Sequence, residues 1–89
     1  MNKTIKITGK VQGVFFRKST QDKAIELGVK GWVKNEADGS VLTEIEGSSE
    51  QLHAMEKWLK SGPDRAVVEN LEVLKEGESK GYREFEFKY

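Results

Sequence analysis

What most constrains this chain is a change of hydrophobic period across residues 9–17, Gly-Lys-Val-Gln-Gly-Val-Phe-Phe-Arg. Before it, Ile5, Ile7 and Val11 alternate with Lys6, Thr8 and Lys10, the period of a half-buried strand over Thr4–Val11. After it, Phe16, Thr20, Ala24 and Leu27 fall on one helical stripe, with Lys18, Gln21, Asp22 and Glu26 off it. Gly28 then offers the left-handed residue that commonly ends a helix. A strand that passes into a helix and returns to the same sheet does so in parallel, so both strands end at one edge.

The returning strand is expected at Val29–Asn35, with Val29, Gly31 and Val33 on one face and Trp32 on the other. Asp38-Gly39 signals a hairpin, and Val41–Glu46 follows as the third strand with Val41 and Ile45 inward. Ser48 and Gln51 have the spacing of a capping box ahead of a second helix striped by Leu52, Met55, Trp58 and Leu59. Ser61-Gly62-Pro63 stops that helix. A fourth strand is expected within Val67–Leu74 and a turn over Gly77–Gly81. A fifth strand over Tyr82–Tyr89 would turn Phe85, Phe87 and Tyr89 to one face. The order βαββαβ plus a terminal strand predicts an α+β, ferredoxin-like sandwich. Two helices would cover one face of a mixed, mainly antiparallel sheet, in one domain spanning 1–89.

The crossover brings Asn35 to the edge that carries the Gln12–Arg17 loop. Backbone N–H groups at a helix start are unpaired and electropositive, and a guanidinium adds a fixed fork of donors. Gln12, Gly13, Val14, Phe15, Phe16 and Arg17 are therefore read as a cradle for a phosphate-sized dianion. Gly13 has two available tasks there, positive φ or close approach of a ligand to the backbone. The fifteen basic residues balance fifteen acidic ones, so no overall field favours nucleic acid or a membrane. With no cysteine, disulfides and thiolate chemistry are excluded. No apolar run suggests a signal peptide or a membrane span, which leads us to expect a cytoplasmic protein.

Gly9–Arg17 resembles the first signature of the acylphosphatase family. Gly31-Trp32-Val33-Lys34-Asn35, followed by Asp38-Gly39-Ser40-Val41, resembles the second. The likeness extends over nearly the whole chain. It implies hydrolysis of acyl phosphates, mixed anhydrides of a carboxylic acid and phosphoric acid, without metal, cofactor or covalent intermediate. It also implies that Arg17 binds the phosphate, that the Gln12–Arg17 amides cradle it, and that Asn35 positions a water. A hydroxyl residue often follows the asparagine in animal members, where this chain has Glu36. The expected partner is a small acyl phosphate, with no nucleic acid or membrane partner, and the chain is expected to be a monomer.

Other features carry less chemistry. His53 lies off the stripe of the second helix and reads as a surface residue, with no second histidine to share a metal. Glu44 and Glu46 share one side of the third strand and read as its solvated face. Ser19 and Thr20 lack an assigned base and read as helix-start or supporting groups. Phe16 is expected under the first helix, and Trp32 is the better candidate for exposure. Two rivals share the pattern. One is a module that binds phosphate or carbamoyl phosphate without turnover. The other is a single-stranded RNA-binding domain, which the dispersed basic residues argue against.

Overall fold

The computed structural model describes all of residues 1–89. Its elements run β1 (Asn2–Lys10), α1 (Phe16–Leu27), β2 (Lys30–Asn35), β3 (Val41–Glu46), α2 (Ser49–Leu59), β4 (Val67–Gly77) and β5 (Phe85–Phe87). The strands form one sheet in the order β4-β1-β3-β2-β5. Both β1 and β2 pair antiparallel with β3, so they run parallel to each other as the crossover requires. The strand β5 adds to β2 in parallel, with Gly31 opposite Phe85 and Val33 opposite Phe87.

Alternation puts Ile5, Ile7, Val33, Val41 and Ile45 on the sheet face that packs against Phe16, Ala24, Leu52, Met55 and Leu59 of the helices. Phe16 is 2% exposed, with its ring 6.0 Å from that of Trp58. Burying such a side chain contributes about 2–3 kcal/mol. The helix ends follow local chemistry. Gly28 closes α1 at φ 77, and Ser48 with Gln51 forms the full capping box of α2. The Gln51 amide also donates to the carbonyl of Leu27 at 3.1 Å, joining the end of α1 to the start of α2.

Several expectations shift. The strand β4 runs three residues beyond Leu74, to Gly77, while β5 keeps only Phe85–Phe87 of the expected Tyr82–Tyr89. Tyr89 lies beyond β5 and is 98% exposed, its ring edge-on to that of Phe87 at 5.2 Å. The turn at Asp38-Gly39 belongs to a longer connection, residues 36–40, closed by the Glu36 amide donating to Ser40 O. Glu44 and Glu46 are buried, not solvated, and Trp32 is half-buried.

The reason is that the segment following β4 folds back over the sheet face away from the helices. The Glu46 carboxylate accepts the backbone N–H groups of Lys80, Gly81 and Tyr82 at 2.6, 3.0 and 2.9 Å. Asn2 donates to both carboxylates, at 2.9 Å to Glu44 and 3.0 Å to Glu46. Glu44 also accepts from Trp32 Nε1 at 3.1 Å and pairs with Lys80 Nζ at 2.9 Å. Trp32 Nε1 further approaches the Tyr82 hydroxyl at 3.3 Å.

Burial pushes the Glu46 carboxyl up, but the donors from Asn2 and the 80–82 backbone outweigh it and hold it below its ordinary 4.5. Glu44 is likewise raised by burial and brought lower on balance by Lys80 and Asn2. Because the folded state holds these carboxyls low, their stabilisation is present above the ordinary carboxylate value. It is lost as pH falls through the folded value. Glu46→Gln should destabilise the protein by about 2 kcal/mol at pH 7, the scale of hydrogen bonds to a charged group. In urea denaturation the gap between wild type and variant should narrow below pH 4.5. A gap independent of pH would refute this account of the loop.

Candidate functional site

The start of α1 breaks the rules that α2 obeys. In α2, Glu50 sits in the first turn and Lys57 in the last, each matched to the helix dipole. The first turn of α1 has no acidic residue and no capping side chain; it carries Arg17 and Lys18 at the electropositive end. Each such cation costs about 0.3–1 kcal/mol. None of the backbone N–H groups from Gln12 to Lys18 has an acceptor within the protein. An electropositive crown of unshared donors is suited to an anion.

The loop conformation exposes these donors. Gly13 adopts φ 73, and a Cβ built there would meet no atom within 4 Å. Of its two available tasks, positive φ is the one the fold requires. Phe15 also lies in the left-handed region, at φ 61 and ψ 24, and is the only non-glycine residue with positive φ. That conformation costs a side-chain-bearing residue about 1–3 kcal/mol.

Arg17 is held from two sides by the end of the chain. Its Nη1 donates to the Lys88 carbonyl at 2.8 Å, and its Cζ lies 4.5 Å from the centre of the Phe87 ring and 5.2 Å from that of Tyr89. Most of the guanidinium donors remain unshared. A pocket of about 240 Å³ is lined by Val11, Gly13, Phe15, Phe16, Arg17, Lys18, Asn35 and Phe87. Asn35 Oδ1 is buried and has no hydrogen-bond partner. An orphan acceptor of this kind costs about 1–3 kcal/mol.

The loop and the end of β2 thus meet in one pocket, as the crossover requires. The side chains of two residues read as part of the cradle turn away from it. Val14 is buried in the core. The Gln12 side chain turns the other way, its Nε2 donating at 2.8 Å to the carbonyls of both Glu36 and Ser40. Val11, Lys18 and Phe87 join the pocket without having been anticipated. The signal for Phe87 lay in its strand: a parallel partner of β2 ends at the same edge as Asn35. Thr20 is fully buried, its hydroxyl donating to Phe16 O at 2.7 Å. No group of three or more His, Cys, Asp or Glu side chains converges anywhere in the structure.

A model of the acylphosphatase family matches residues 3–87. The chain belongs to the acylphosphatase family. An acylphosphatase of Rubrobacter xylanophilus is 46% identical over 80 residues, which span 90% of this chain and 73% of the relative. One from Nitrosococcus oceani is 53% identical over 62 residues, spanning 70% of each. The crystal structure of acylphosphatase from Bacillus subtilis matches with a TM-score of 0.94 at 32% identity, covering 99% of this chain and 98% of that one. This acylphosphatase accordingly hydrolyses acyl phosphates, on a ferredoxin-like α+β fold.

Within the acylphosphatase, Gln12 clamps the loop to the hairpin that follows Asn35. The hairpin is fixed further by Asp38, which accepts from Ser40 N and Oγ at 3.0 and 2.6 Å and pairs with Lys6 at 3.0 Å. These Ser40 donors, with Lys6 beside them, hold the Asp38 carboxyl well below the usual carboxylate range. Gln12→Ala should lower kcat about tenfold, short of the hundredfold that a full 1 Å misplacement costs. Gln12→Glu should lower it further, because a carboxylate offers two carbonyl oxygens no donor. Steady-state hydrolysis of benzoyl phosphate measures both variants, and a Gln12→Glu enzyme with wild-type kcat would show that the clamp does not govern Asn35.

Proposed function

We propose that the Gln12–Lys18 amides and Arg17 hold the phosphoryl group of an acyl phosphate while Asn35 orients the water that attacks it. The observation that carries this reading is the placement, in one pocket, of an unshared cationic donor crown and the Asn35 carboxamide. A dianionic phosphoryl group suits the crown. The Asn35 carboxamide, in the wall of the same pocket, is the polar group available to hold a water with a lone pair toward phosphorus.

The reaction then needs little else. As the water oxygen bonds to phosphorus, the bond from phosphorus to the acyl oxygen breaks and its electron pair leaves with the carboxylate. The conjugate acid of that leaving group has a pKa near ~4, so no general acid is required. The transition state of phosphoryl transfer is loose, with charge spread over the equatorial oxygens, and positioning and electrostatics supply most of the rate. Arg17 and the amides follow that charge without rearranging, since the ring of Phe87 and the Lys88 carbonyl already fix the guanidinium. The water's proton passes to a phosphoryl oxygen, giving inorganic phosphate and a carboxylate.

In this reading residues 1–89 act as one domain. The enzyme works as a cytoplasmic monomer on small acyl phosphates, with no nucleic acid partner. Zero net charge supports that exclusion, and no helix is long and apolar enough to cross a membrane.

Arg17→Ala should abolish measurable release of phosphate from benzoyl phosphate and weaken inhibition by inorganic phosphate. Arg17→Lys should restore little, because an ammonium cannot reproduce the fork. Asn35→Ala should lower kcat by about a hundredfold while phosphate still inhibits as in wild type, the pattern of losing one oriented group in the transition state. Near-normal turnover by Arg17→Ala, or lost phosphate affinity with intact kcat in Asn35→Ala, would reverse these roles. Simple phosphate esters should stay intact.

A further inference from the structure

The polar half of the pocket is claimed by the phosphoryl group and its water, but the pocket is larger than these need. At about 30 Å³ for each water-sized group, a volume near 240 Å³ holds more than the four oxygens of a phosphate. The remaining wall is apolar: Val11, Phe15, Phe16 and Phe87. Three of these are already committed. Val11 and Phe16 belong to the core, and the Phe87 ring is stacked beneath Arg17 and edge-on to Tyr89 at 5.2 Å.

Phe15 differs from all three. It is 75% exposed and belongs to no aromatic pair; as the N-cap of α1 it accepts the Ser19 N–H through its carbonyl at 2.9 Å, a backbone task that makes no use of the ring. It also occupies a left-handed backbone position that glycine or asparagine would take with less strain. The chain thus keeps a large apolar ring at the lip of the pocket, two residues before Arg17, against both burial and backbone preference. Local rules broken together in this way mark a site shaped by its ligand.

We infer that Phe15 is the specificity-determining platform for the acyl half of the substrate, against which a flat apolar acyl group stacks while the loop amides hold the phosphoryl half. The inference rests on the proposed hydrolytic site and deepens it by naming the preferred substrate class: acyl phosphates with aromatic or extended apolar acyl groups. A methyl group reaches little of the ring, so acetyl phosphate gains little from it. A benzoyl group offers a full face to an offset or edge-on contact.

The test compares kcat/KM for benzoyl phosphate and acetyl phosphate in wild type, Phe15→Ala and Phe15→Tyr, with the inhibition constant of inorganic phosphate measured alongside. The wild-type enzyme should prefer benzoyl phosphate. That preference should fall about tenfold in Phe15→Ala, the scale of a lost aromatic pair. It should be retained in Phe15→Tyr, which keeps the ring. An equal loss on both substrates, or a parallel weakening of phosphate inhibition, would mean that the side chain acts by shaping the loop, and would overturn the platform. A wild-type enzyme that hydrolyses neither substrate would instead remove the hydrolytic reading beneath it.

Discussion

The site depends on a geometric constraint of the chain more than on any single contact. A strand that leaves a sheet through a helix and rejoins it in parallel must bring the start of that helix and the end of the second strand to the same edge. In this protein the rule brings the start of α1 to the end of β2. The parallel addition of β5 to β2, which involves no helix, carries Phe87 and Lys88 to the same place. Three segments remote in sequence thereby supply donors, an acceptor and a brace without a dedicated loop to gather them.

The electrostatics of the molecule are local. Fifteen cations balance fifteen anions, and most pairs lie away from the pocket: Lys3 with Glu56, Lys6 with Asp38, Lys80 with Glu44. At the start of α1 the matching is deliberately absent, with Arg17 facing aromatic rings and a carbonyl instead of a carboxylate. A carboxylate partner would have neutralised the charge that an anionic substrate requires. A π face and a carbonyl orient the guanidinium and leave most of its donors unshared.

Features set by near neighbours could be read directly from the residues. Gly28 ends α1 because a glycine after an apolar stripe relieves the left-handed turn, and Ser48 with Gln51 caps α2 because both partners lie within one turn. The meeting of Arg17 with Asn35 followed from topology. What could not be read depends on remote chain. Glu44 and Glu46 look like a solvated strand face until residues 80–82, more than thirty positions later, bring their amides down onto Glu46 and the Lys80 ammonium onto Glu44. Gln12 could face the pocket or the hairpin, and only two carbonyls of the folded connection decide it. The left-handed turn at Phe15 runs against its residue type, so no propensity argument finds it.

The brace on Arg17 comes from the shortest element of the sheet. A three-residue strand anchored by few backbone bonds sits at the low-stability end of a fold, where local opening precedes global melting. When that terminal ribbon peels away, Phe85 leaves the core and the guanidinium loses its seat in the same event. Warming is therefore expected to loosen the hold on Arg17 before it melts the rest of the sheet.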